Sequence, residues 1–289
     1  MKERKANNVG KTAVAEYVFD NAGRTAEGRY RELSRVYDEN TIRHIEQRGI
    51  DRGWSCLEVG GGGGSIASWL CLRVGVTGRV LATDIDTRFL RTLSYPNLGV
   101  RRHDICCEGL PKQEFDLAHI RLVLMHLADR EKAWQQITNA LKPGAWVVAE
   151  EFDDLSFLPD PYINRSEESL RIGRAFRDVL TSRGVNLRYG RFLPYELQAN
   201  GFLSVGAEAS VSVWNGRSEG TELLKLSCEE LREPMIASGL ISQEELEADL
   251  RRVDEEDYLM PSPMMWTAWG RKPGIHASPP AISDDSIVW

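Results

Sequence analysis

A glutamate, five consecutive glycines and a helix-forming run stand together in residues 54–70, WSCLEVGGGGGSIASWL. Cys56, Leu57 and Val59 read as a buried strand, Gly60 to Gly64 break it, and a helical pattern resumes at Ser65. Glycines let a ligand approach the main chain, and the following helix aims its free amides and positive dipole end at the same point. A nucleotide-like ligand is the expectation. Asp84 lies near the end of the next apolar run, RVLATDID, about 20 residues beyond the loop, the interval of a strand–helix–strand unit. That position suits a carboxylate accepting hydrogen bonds from a ribose, whereas Asp86 reads as the cap of a helix over Thr87 to Leu93. Asp104 and Ile105 close a third run and could meet the exocyclic amine and the face of an adenine.

The elements that must position these residues alternate along the chain. Strand patterns at 56–59, 79–86, 100–103, 115–120 and 145–152 are separated by helical or turn segments, which predicts a doubly wound parallel sheet. Asp129 is placed to cap a helix with Trp134, Ile137 and Leu141 on one face, ended by Lys142-Pro143-Gly144. Ahead of the first strand, Lys11 to Asp20 and Glu27 to Gly49 carry helical spacing, with Asp38 or Asn40 able to cap a restart. In Glu16 to Gly23 the aromatic pair Tyr17 and Phe19 lies beside Asp20 and Asn21 and could face a substrate, or simply pack a helix end.

Composition limits what this framework can serve. The 289 residues are 42% hydrophobic and 27% charged, enough for one large domain or a domain with a lid. A net charge of −7 argues against a general binder of phosphate backbones. No run approaches the ~18 apolar residues of a membrane span and no signal-like core opens the chain, so a cytoplasmic protein is expected. Five cysteines without metal-like spacing predict reduced thiols, no disulfide and no zinc.

The series LEVGGGGGSIASWL, VLATDID, RHDI, FDLAHIRLVLMHL and LKPGAWVVAEE resembles, in order and spacing, the motifs of class I S-adenosylmethionine-dependent methyltransferases of the small-molecule type. The resemblance implies a Rossmann-like sheet of seven strands with an antiparallel last strand. It implies that Glu58, Gly60 and Gly62 lie against the methionine part of S-adenosylmethionine, Asp84 at the ribose, Ile85 on the adenine, and Asp104 with Ile105 at the adenine amine and ring. His119 to Arg121 would border the sulfonium and the substrate mouth. The product would be S-adenosylhomocysteine, and no metal is expected. The sixth strand is read at Gly201 to Trp214 and the seventh at Ser262 to Pro273. Between them Leu223 to Ile236 and Ser242 to Val253 read as a helical hairpin. The resulting plan is a helical cap at 1–50, a core at 51–214 and 261–273, a helical lid at 215–260 and a tail at 274–289.

For a hydroxyl acceptor, methyl transfer needs positioning and a proton acceptor. Among the histidines, His119 and His126 fall just beyond the fourth strand, and His126 in LMHLAD resembles the base of small-molecule O-methyltransferases. Glu150, Glu151 and Asp153 are further acceptor-facing groups, each with solvation at the rim as its ordinary role. Tyr17, Phe19, Glu151 and Phe152 are the expected substrate contacts, and Phe157, Tyr162, Trp214, Trp266 and Trp269 could add to an apolar pocket or to the core. O-methylation of a small apolar or aromatic metabolite is the first reading, with C- or N-methylation open. The alternatives are a non-catalytic cofactor-binding protein of the same fold, or a protein or RNA acceptor; an NAD oxidoreductase fits the strand pattern less well. The N-terminal helices could also join two copies of the chain.

Overall fold

Alternation of apolar side chains on both faces of five successive strands forces a sheet covered on each side. The computed structural model describes residues 18–19, 23, 25–156 and 167–274. After helix α1 (Ala26–Gln47) come β1 (Ser55–Val59), α2 (Ser65–Val74), β2 (Arg79–Asp84), β3 (Leu98–Arg102), β4 (Phe115–Arg121), α3 (Arg130–Ala140) and β5 (Leu141–Asp153). Then follow α4 (Glu167–Ser182), α5 (Leu193–Ala199), β6 (Leu203–Ser210), β7 (Val213–Asn215), α6 (Glu219–Glu230), α7 (Arg232–Ala237), α8 (Gln243–Arg252), β8 (Leu259–Pro261) and β9 (Met264–Arg271). Among the described residues the main sheet has seven strands in the order β3-β2-β1-β4-β5-β9-β6. β9 runs antiparallel between β5 and β6, and the other pairs are parallel. This is the Rossmann-like methyltransferase sheet expected from the motif series.

The two sheet faces carry different cores. Leu57, Val59, Ala118, Ile120, Val147 and Ala149 pack with Trp134 and Ile137 of α3 and with Val179 and Leu193. On the other face Cys56, Leu117 and Val148 meet Ile45, Ile66 and Leu70 from α1 and α2. Asp129 caps α3, its side chain accepting from the Lys132 amide. All five cysteines are free thiols. No helix among the described residues is long and apolar enough to cross a membrane.

Several local expectations are corrected. α1 does not restart at Asp38 or Asn40; both turn toward the sheet, Asp38 accepting from Arg121 Nη2 (2.8 Å) and Asn40 donating to Thr267 Oγ1 (3.2 Å). The segment expected as a helix over 87–93 makes one 3-10 turn, Leu90–Thr92. The single strand expected over 201–214 ends at Ser210, because Ser212 exchanges hydrogen bonds with Ser262 and starts a separate β7–β8 ribbon. From that ribbon springs an insertion of three helices, α6 to α8, where two were expected. Lys11 to Tyr17, Phe157, Tyr162 and residues 275–289 of the expected tail lie outside the described residues.

Candidate active site

β1, β2 and β4 end at a common edge, and a cavity of about 260 Å³ opens there. One end is lined by Glu58, Gly60 to Gly63, Asp84, Ile85, Asp104 and Ile105. Gly60 and Gly62 adopt φ of +69° and +49°, where a side chain is strained. A Cβ on Gly60 would lie 2.1 Å from Val123 Cγ2, and one on Gly62 2.7 Å from Tyr30 Cε1. The loop must therefore be bare at these points. The amides of Gly60 and Gly61 donate to Thr83 O (2.8 and 3.0 Å), and the Gly62 amide donates to Asp84 Oδ2 (2.9 Å). Asp84 Oδ1 accepts from the Asp86 amide (2.9 Å), and Asp86 Oδ1 in turn accepts from the Arg88 amide (3.1 Å), capping a turn ahead of the 3-10 segment in place of the expected helix. Each Asp84 oxygen keeps a lone pair for a ligand hydroxyl. Burial pushes the Asp84 carboxyl above its usual range, against the pull of those two amides. Ile85 exposes its side chain to the cavity, whereas Asp104 turns one oxygen back to the Cys106 amide (2.9 Å).

The other end of the cavity is apolar. Leu33 of α1, Phe176 and Leu180 of α4, Leu223 and Leu224 of α6, and Trp214 of β7 form its walls, with Phe19 and Phe152. Trp266 and Trp269 do not line it: Trp266 packs against the core and Trp269 stacks on His44 at 5.2 Å. Met125 and His126 enter on a 3-10 turn, Leu124–His126, that follows Leu122 at φ +55°. That turn is clamped from both sides. Glu151 Oε1 accepts from the Val123 and Leu124 amides (3.0 and 2.6 Å), and Arg130 donates to Leu124 O (2.9 Å) and Met125 O (3.2 Å). Glu151 is thus a buried support for the turn and does not face the cavity, contrary to the substrate contact expected for it. Burial raises its carboxyl to about 8. His126 opens to the cavity; its shielding from bulk water, with Arg29 and Arg130 nearby, lowers its imidazole to about 4, so it is neutral at physiological pH.

His119 has a different place from the one expected of a base. It is fully buried and off the cavity wall, its Nδ1 2.8 Å from Glu58 Oε2 and its Nε2 3.2 Å from Glu150 Oε2. Glu150 also accepts from Thr41 Oγ1 of α1, and its Oε1 from Thr267 Oγ1 (2.6 Å). Arg121 lines the cavity while donating to Thr41 Oγ1 and Asp38 Oδ1, both at 2.8 Å. Register explains the row: Glu58 aligns with His119, Arg121 with Glu150, and Glu150 with Thr267. Asp153 is equally remote from solvent, bonded to Arg191 Nε and Nη2 at 2.5 and 2.7 Å. Sequence reasoning missed Tyr30, Thr41, Thr267 and Arg29. Tyr30 covers the glycine loop and meets Phe89 edge-on at 5.4 Å, and Arg29 lies 4.5 Å from the Phe19 ring centre. Only helical phase along α1 hinted at any of them.

Burial alone would lower the His119 imidazole, but the carboxylates of Glu58 and Glu150 outweigh it and raise the group to about 9. A raised basic group stabilises the fold fully below its ordinary value of 6.5, and that contribution is lost as pH rises through about 9. Urea unfolding between pH 6.5 and 9.5 should show a loss of about 3 kcal/mol from this residue. In His119→Gln this part of the pH dependence should vanish.

Residues 57–149 match the family described as a methyltransferase domain. The ubiquinone/menaquinone biosynthesis C-methyltransferase UbiE of Francisella tularensis subsp. novicida is 26% identical over 153 residues, 46% of this chain and 60% of that protein. The protein of the same name from Enterobacter sp. (strain 638) is 32% identical over 116 residues, 37% and 46% of the two chains. The chain spans about half the length of the curated relatives it matches. Among solved structures, phosphoethanolamine N-methyltransferase 2 of Haemonchus contortus with S-adenosyl-L-methionine superposes at a TM-score of 0.51 and 18% identity, over 82% of this chain and 53% of that one. The YcgJ protein of Bacillus subtilis gives 0.51 and 12%, over 81% and 99%. At these identities the structures share the fold. Motif series, strand order and domain match coincide on the same residues: the seven-stranded sheet is built around a segment, 57–149, that matches the methyltransferase domain family.

Proposed function

We propose that the chain transfers a methyl group from S-adenosylmethionine to a small apolar or aromatic metabolite, with a hydroxyl oxygen as the favoured acceptor. The observation that carries this reading is one continuous cavity joining the glycine loop and Asp84 to an apolar chamber that holds His126. Glu58 would meet the cofactor's ammonium, Asp84 its ribose hydroxyls, and Ile85 with Ile105 its adenine. The sulfonium supplies an activated methyl group, so the chain needs to bind, orient and exclude water. The apolar walls desolvate an acceptor, and a neutral His126 can take its hydroxyl proton. Methylation at ring carbon is a second reading, favoured by the C-methyltransferases among the sequence relatives; a phenol activated by the same histidine would serve it.

Calorimetry with S-adenosylmethionine and with NAD tests the cofactor. Asp84→Ala removes both acceptor oxygens, and the affinity should fall about 10- to 100-fold. Unchanged affinity, or a preference for NAD, would overturn the assignment. The acceptor can be sought by mass-shift screening of metabolite extracts with isotopically labelled cofactor. On that acceptor His126→Ala should lower kcat by about 100-fold or more. The wild-type kcat should stay flat from pH 6 to 8, because His126 protonates only near 4. Full turnover by the variant would remove the base.

A further inference from the structure

We propose that His119 is a positioning residue: its imidazolium, held between Glu58 and Glu150, pairs with the Glu58 carboxylate and fixes it facing the cavity to receive the ammonium of an amino-acid ligand. The inference rests on the cofactor reading above and assigns a task to a buried group that the transfer itself does not use.

Hydrogen-bond inventory supplies the argument. Nδ1 faces Glu58 Oε2 at 2.8 Å and Nε2 faces Glu150 Oε2 at 3.2 Å. A neutral imidazole carries one N–H, and an ionised carboxylate carries none, so only the doubly protonated ring satisfies both contacts. Glu150 is held as an acceptor by the hydroxyls of Thr41 and Thr267. The charged groups around the ring come from every element packed there: Glu58 of β1, Glu150 of β5, and beyond them Arg121 of β4 paired with Asp38 of α1. Glu58, Glu150 and Asp38 bring three negative charges against two positive ones from His119 and Arg121. The remaining negative charge is matched by a monocation. Of the three carboxylates, Glu58 is the one on the cavity wall, although its residue is only 3% exposed. A carboxylate so enclosed is costly to leave unpaired, and among the described residues His119 is the hydrogen-bond partner shown for it. The same cation reaches α1 through Glu150 and Thr41, so the charge that prepares Glu58 also helps to seat the helix that places Tyr30 over the glycine loop.

Two measurements on the full chain decide the matter. Nitrogen-15 NMR of the histidine rings, with His119 assigned by substituting the other four in turn, should show it doubly protonated from pH 6 to 8. A singly protonated ring at pH 7 overturns the proposal, and this measurement needs neither ligand nor a His119 variant. Calorimetric titration with S-adenosylhomocysteine should give wild-type affinity that is flat from pH 6 to 8. His119→Gln, checked for native near-ultraviolet circular dichroism, should bind at least about tenfold more weakly at pH 6, with a smaller deficit at pH 8. If wild type binds and the two profiles coincide, the proposal fails alone. If wild type does not bind, the cofactor reading fails and the proposal falls with it.

Discussion

Glu150→Ala is expected to destabilise the protein by about 3–5 kcal/mol in urea unfolding, the range for removing one partner of a buried ion pair. The carboxylate sits where three elements converge. It accepts from the hydroxyls of Thr41 on α1 and Thr267 on β9 and faces the His119 ring on β4. Truncation orphans the Thr267 hydroxyl proton and one imidazole N–H in a buried place, and leaves Thr41 Oγ1 with only Tyr37 O (3.2 Å) to donate to. Glu150→Gln, which keeps one acceptor oxygen and the shape, should lose less. The acid limb gives a second signature. Burial would raise this carboxyl, but His119 and Arg121 outweigh it and hold it at about 2, so its contribution is present above 4.5 and lost as pH falls through about 2. The stabilities of wild type and Glu150→Ala should accordingly converge toward pH 2. A loss below about 1 kcal/mol at pH 7 would mean that the row contributes no more than an exposed pair.

Gly60→Ala should reduce stability by about 2–4 kcal/mol, combining left-handed backbone strain with overpacking. Both parts are visible at one residue: φ is +69°, and the added methyl would overlap Val123 Cγ2 at 2.1 Å. Val123 precedes the turn that carries His126, so relief of the overlap must move either the loop or that turn. Calorimetry should therefore also record at least about a tenfold loss of S-adenosylmethionine affinity. Gly49→Ala is the control. Its φ of +81° is equally positive but nothing lies within 4 Å, so only the strain of about 1–2 kcal/mol should be seen, with binding unchanged. Equal effects of the two substitutions would refute the role of the overlap.

The linear sequence by itself determined the parts of this protein that depend on local pattern. Runs of apolar residues broken by glycine marked β1, β2, β4 and β5. An acid near the end of β2 was enough to place Asp84 on the cavity, because side chains at that edge of a parallel sheet face the ligand crevice. Tertiary structure decided whatever depends on register between strands distant in the chain. Glu58 and His119 are 61 residues apart, and they meet because β1 and β4 are neighbours with those two positions in line. The adjacent acids Glu150 and Glu151 look alike in sequence, yet the pleat sends them to opposite faces: one joins the charged row under α1, the other holds the turn of His126. The glycine loop was legible because its chemistry is contiguous; the imidazolium behind Glu58 was not, because four strands and a helix must assemble before it has any partners.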